Sequence, residues 1–120
     1  MYVTVKCNQS LTVGQVVAYS SSTNQWEIAS SLSEEISVVK STPENNGTDE
    51  NPEYVCKIIV SGPAYCTASR DIPIQGGELN VENGKVFVDN SLTQSWGFIV
   101  PKDINEADRV PDSTIKVVLR

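Results

Sequence analysis

The chain is written largely in alternation. Runs with an apolar or β-branched residue at nearly every second position recur over 2–6, 14–20, 25–30, 35–41, 53–61, 64–68, 78–82, 85–89, 97–100 and 114–119. A period of two sets one group of side chains on one face of a pleated strand, and Gly, Pro, Asn, Asp and Ser bound the runs. The pattern therefore predicts up to ten short antiparallel strands, an all-β domain built as a β-sandwich or a partly open β-barrel. No long segment carries apolar residues at helical spacing, and only 103–109 predicts a helical turn.

Turn chemistry sharpens the outline. Asn83-Gly84, between two alternating runs, suits a two-residue type I′ turn, which needs positive φ at both centres, so 78–89 predicts a hairpin. The polar stretch 20–24 predicts a second antiparallel pair with a longer loop. Residues 43–52 (PENNGTDENP) hold nothing that a core would accept and predict an exposed loop. No internal repeat and no linker is evident, so residues 1–120 are expected to form one domain, with the terminal strands 2–6 and 114–119 in the same sheet.

Several strands are apolar on both faces. Val16-Val17, Val38-Val39, Ile58-Ile59 and Val117-Val118 each send neighbouring β-branched side chains to opposite sides, whereas one face of an antiparallel sandwich sheet is ordinarily polar. With Tyr54, Cys56, Ile58 and Val60 facing in, Val55 and Ile59 face out; with Val86 and Val88 in, Phe87 faces out; with Ile115, Val117 and Leu119 in, Val118 faces out. Val55, Ile59, Phe87 and Val118 are the candidate interface residues. The alternative is that loops of the same domain cover them.

Composition supports the strand reading. Val and Ile number 25 against 11 for Ala, Leu and Met, and eight Thr add further β-branched side chains. The chain has no histidine, which removes the commonest general base, the usual activator of Ser and Cys nucleophiles and the commonest metal ligand. An enzyme is not expected. A net charge of −6, with nine scattered Lys and Arg, argues against a nucleic-acid partner. The N-terminus alternates at once, so neither a signal peptide nor a membrane helix is expected.

Other candidate chemistry is thin. Cys7, Cys56 and Cys66 are odd in number, show no CxxC spacing and fit small core positions, so they are expected reduced. Glu34-Glu35 would point to opposite faces of a strand and cannot share a substrate. Glu44, Asp49, Glu50 and Glu53 could in principle wrap calcium, yet their spacing matches no calcium loop. Gly76-Gly77 lacks the strand–loop–helix context of a phosphate site and reads as a tight turn. No metal or cofactor is expected.

The order of motifs resembles that of phage head-decoration (capsid cement) proteins of the small β-rich type. The stretches that carry the resemblance are 11–19 (LTVGQVVAY), 60–64 (VSGPA), 84–89 (GKVFVD), 96–101 (WGFIVP) and 114–119 (TIKVVL). The resemblance implies a structural virion protein, made in the host cytoplasm and bound on the capsid surface, with the major capsid protein as partner. It implies a homo-oligomer, a trimer in particular, that bridges neighbouring capsid subunits by protein–protein contacts. Two alternatives stand beside it. One is a tail or head-fibre component, and the other a carbohydrate-binding β-sandwich in which Trp26, Trp96, Tyr19 and Tyr65 form a stacking platform. Against the second, Trp26 alternates with Ile28 and reads as core.

Overall fold

The computed structural model describes residues 1–33 and 35–120, and among them it holds eleven strands and no helix. The strands are β1 (Tyr2–Lys6), β2 (Val16–Ser20), β3 (Gln25–Ile28), β4 (Ser37–Val39), β5 (Glu44–Asn45), β6 (Tyr54–Ile59), β7 (Gly62–Thr67), β8 (Gly77–Glu82), β9 (Lys85–Val88), β10 (Gly97–Ile99) and β11 (Thr114–Leu119). They form two antiparallel sheets packed as a β-sandwich: β1-β6-β4-β2-β3, with β5 beside β6, and β7-β11-β10-β8-β9. Each of the ten predicted runs overlaps a strand, with β7 and β8 starting before the runs 64–68 and 78–82.

Each sheet comes from one half of the chain, and the two sheets repeat one another strand for strand. Val5 opposite Cys56 corresponds to Cys66 opposite Ile115, and Val39 opposite Ile58 to Ile99 opposite Val117. Val16 opposite Val38 corresponds to Glu78 opposite Phe98, and Tyr19 opposite Trp26 to Val81 opposite Val86. In both halves the end of the first strand then returns to the third through a parallel bridge, Cys7 to Trp26 and Ala68 to Val86. Single hydrogen bonds repeat as well. The N–H of Asn8 donates to the oxygen of Trp26 as that of Ser69 does to Val86, both at 2.9 Å, and Ala29 donates to Val16 at 3.0 Å as Asp89 does to Glu78 at 2.9 Å. The chain is thus a tandem of one five-stranded motif, which corrects the expectation of no internal repeat. It also places the terminal strands in different sheets, β1 in the first and β11 in the second, against the expectation that they share one.

The doubled β-branched pairs follow from this arrangement. The first sheet has one apolar face turned into its own half, where Cys7, Leu11, Val17, Val39, Cys56 and Ile58 are buried with Trp26 and Tyr54 packed against them. Its other face meets the second half. Val16 and Val38 belong to the main core with Cys66, Leu79, Val86, Ile99, Ile115 and Val117, and Ile59 packs against it. Leu11 and Ile72 play matching parts, each buried in the connection between the first and second strands of its half.

The Asn83-Gly84 hairpin forms as expected, with φ of 47° and 76°, and its tip fastens the halves together. Val16 N–H donates to the Gly84 oxygen at 2.8 Å, and Gly84 N–H donates to that of Ala29 at 2.7 Å. A Cβ on Gly84 would stand 3.1 Å from Ile28 Cγ2, so the close approach and the positive φ both call for glycine. The stretch 43–52 is exposed but not all loop: Glu44 and Asn45 pair with Val55 and Tyr54. Asn45 Oδ1 accepts from the N–H groups of Gly47 and Glu53. Residues 103–109 form a turn and not a helix, with Glu106 N–H donating to the Asp103 oxygen at 3.0 Å.

Candidate interaction surfaces

The four candidate interface residues fall on different surfaces. Val55 and Ile59 lie on β6 and are half-buried, and Ile59 rests on the main core, so the cover that the sequence calls for at this position is largely the chain's own second half. Val118 occupies the matching place in the second half, on β11, where it is half-buried. Phe87, on β9, shares this outer face of the second sheet with Val118 but is separated from it by β10 and β8.

Across that face run Pro63, Val118, Phe98 and Glu78, each opposite the next in register. Pro63 and Tyr65 are exposed, Tyr65 at 61 %, while Phe98, Val118 and Phe87 are half-buried. Two arginines lie over the aromatic rings, Arg70 at 3.9 Å from the centre of Phe87 and Arg120 at 5.8 Å from that of Phe98. Arg70 also donates two bonds of 2.9 Å to the Glu82 carboxylate. Those bonds, with one from Ser69, hold the Glu82 carboxyl down to about 2. Arg120 lies 3.9 Å from Glu78.

A cleft of about 340 Å³ opens between the two halves. Trp26, Ile36 and Val60 line it from the first half, Trp96 and Leu119 from the second, and Glu35, Ser37 and Arg120 supply polar groups. Two members of the proposed aromatic platform are thereby brought together although 70 residues separate them in sequence. Tyr19 meets Trp26 edge-on, with 6.1 Å between ring centres, while Tyr65 lies on the outer face of the second sheet. Glu34, the partner of Glu35 in the carboxylate pair, lies outside the described residues.

The remaining candidates are structural. Cys7, Cys56 and Cys66 are buried and unbridged. Burial pushes the Cys66 thiol up to about 12, and burial together with a hydrogen bond to Cys7 does the same to Cys56. The acidic side chains Glu44, Asp49, Glu50 and Glu53 are exposed along the 44–55 hairpin, and Glu53 lies 3.7 Å from Lys6. Among the described residues no three His, Cys, Asp or Glu groups are placed to hold a metal ion. Gly76 closes the turn that starts at Pro73, its N–H donating to the Pro73 oxygen at 3.0 Å. Sequence reasoning missed Arg109, which is 5 % exposed and has no marking motif. Its guanidinium donates to the oxygens of Val100, Pro73 and Ile74, tying the β7–β8 connection to the β10–β11 connection.

Compared with protein-family models, with curated proteins and with solved structures, the chain matches none.

Proposed function

We propose that the chain is a structural virion protein that decorates or cements a phage capsid, with the major capsid protein as its partner. The observation that carries this reading is the order of strand motifs, which resembles that of head-decoration proteins. The folded chain supports it by using every one of those stretches in its two sheets: 11–19 leads into and through β2, 60–64 enters β7, 84–89 contains β9, 96–101 contains β10, and 114–119 is β11. The role is one of contact and not of turnover. Contact-type residues support that: aromatic and arginine side chains crowd the outer face of the second sheet, the mixture that protein interfaces favour. The acidic 44–55 hairpin adds a solvated, negatively charged projection on the first half, which suits a protein that stays dissolved until a shell is available. Mixing the protein with expanded empty capsids and sedimenting tests the reading: co-sedimentation is expected, and protein left in the supernatant overturns it.

One observation favours a second reading, carbohydrate binding. Trp26 and Trp96 share a cleft with Glu35, Ser37 and Arg120, and a sugar ring needs both an apolar face to stack on and polar groups for its hydroxyls. On a glycan array this reading expects binding that Trp96→Ala abolishes, and an array without signal rejects it.

A further inference from the structure

The chain holds two Asn-Gly steps, Asn46-Gly47 between β5 and β6 and Asn83-Gly84 between β8 and β9, both in the turns of hairpins. Asparagine before glycine is poised for a reaction of its own. The glycine nitrogen attacks the side-chain carbonyl carbon of the asparagine and a C–N bond forms there. The side-chain nitrogen takes up the glycine N–H proton and leaves as ammonia. Water then opens the cyclic imide at either carbonyl, which gives aspartate or, with the backbone routed through the side chain, isoaspartate. Glycine favours the attack because no Cβ stands beside its nitrogen. The geometric demand is that the peptide plane between the two residues turn until the glycine nitrogen stands over the carboxamide carbon.

The two steps meet that demand differently. Asn83 is exposed, but Gly84 is buried and its nitrogen is committed. Gly84 N–H donates to the Ala29 oxygen at 2.7 Å, the Gly84 oxygen accepts from Val16 N–H at 2.8 Å, and Asn83 N–H donates to the Ser30 oxygen at 3.0 Å. All three partners belong to the first half. Turning the Asn83–Gly84 peptide breaks the bond to Ala29, so the reaction there waits until the hairpin tip leaves the first half.

At the other step Asn46 and Gly47 are both exposed. Gly47 N–H donates to the side-chain oxygen of Asn45 at 2.9 Å, an exposed bond for which water substitutes at little cost. The backbone bond that holds Asn46 runs from its own N–H to the Glu53 oxygen at 2.8 Å, on the far side of Asn46 from the peptide that must turn. We propose that Asn46 is a site of spontaneous covalent modification, deamidation through the Gly47 nitrogen, and that docking of the two halves shields Asn83 from the same reaction. The product sets a further carboxylate among Glu44, Asp49, Glu50 and Glu53 and takes the chain one charge below its −6. None of this depends on capsid binding.

Incubating the full folded chain in mildly alkaline buffer tests it. Mass spectrometry of the fragments cut after Lys and Arg separates the two steps, since Asn46 falls in 41–57 and Asn83 in 71–85. In the folded chain Asn46 is expected to convert about tenfold or more faster than Asn83, and in denaturant the two rates are expected to converge. Asn46→Gln, whose extra methylene disfavours ring closure, is expected to leave the 41–57 fragment unconverted. Asn83 converting as fast as Asn46 in the folded chain overturns the shielding. A 41–57 fragment that keeps its mass, or one that Asn46→Gln still lets convert at the wild-type rate, overturns the site.

Discussion

Arg109 carries a full charge at 5 % exposure, and the partners to which its hydrogen bonds run are carbonyl oxygens. Its Nε is buried without a partner, while the two terminal nitrogens reach Val100, Pro73 and Ile74. The planar fork is what lets one side chain satisfy acceptors on two separate connections, a task that a single ammonium on a flexible stem does poorly. Truncation would take its donor from the Val100 oxygen and one of two donors from each of the Pro73 and Ile74 oxygens, which Gly76 and Lys102 N–H also serve. Arg109→Ala is therefore expected to lower stability by about 2–4 kcal/mol in chemical denaturation, and Arg109→Lys to recover only part of it. A loss within about 0.5 kcal/mol, the range of an ordinary surface change, would mean that water or a relaxed backbone replaces the guanidinium. The sequence could not show this role, because nothing in a polar stretch such as 103–109 tells a solvated arginine from one folded back onto the chain.

Single strands were far more legible than their relations. Asn83-Gly84 announces its turn because few residue pairs accept positive φ at both centres, and the alternation of 114–119 places Ile115, Val117 and Leu119 inward as found. Four pairs, Val16-Val17, Val38-Val39, Ile58-Ile59 and Val117-Val118, ask for cover on both sides, and for the first three the sequence could not show which part of the chain supplies it. It is the other half of the same chain. The duplication itself escaped because what repeats is the hydrogen-bond register, while the side chains at matching places diverge: Val16 against Glu78, Trp26 against Val86, Cys56 against Ile115. β5 escaped because Glu44 and Asn45 add to an edge in solvent, where no apolar face need be offered. The two-sided cover makes a clear prediction. Val38 and Val39 are each 1 % exposed, so Val38→Ala and Val39→Ala should each cost about 1.5–3 kcal/mol. In a sandwich sheet with one wet face, one of the two would be nearly silent, and that result would refute the account of the first sheet as buried on both sides.

The two halves are five-stranded units of one strand order whose surfaces differ in kind. The acidic 44–55 hairpin projects from the first half, a cleft with two tryptophans opens between the halves, and the second half ends in a sheet face of aromatic, arginine and acidic side chains. The absent histidine removes ordinary triad chemistry, while the repeated unit gives the chain two sheet faces of one design, one used internally and one turned outward. That economy suits the proposed role of holding other proteins. The measurement that meets this claim most directly is quantitative co-sedimentation of the purified protein with expanded empty capsids. The account predicts saturable binding in a fixed ratio to the major capsid protein. Protein that stays in the supernatant at every concentration, with the shells intact, would contradict it.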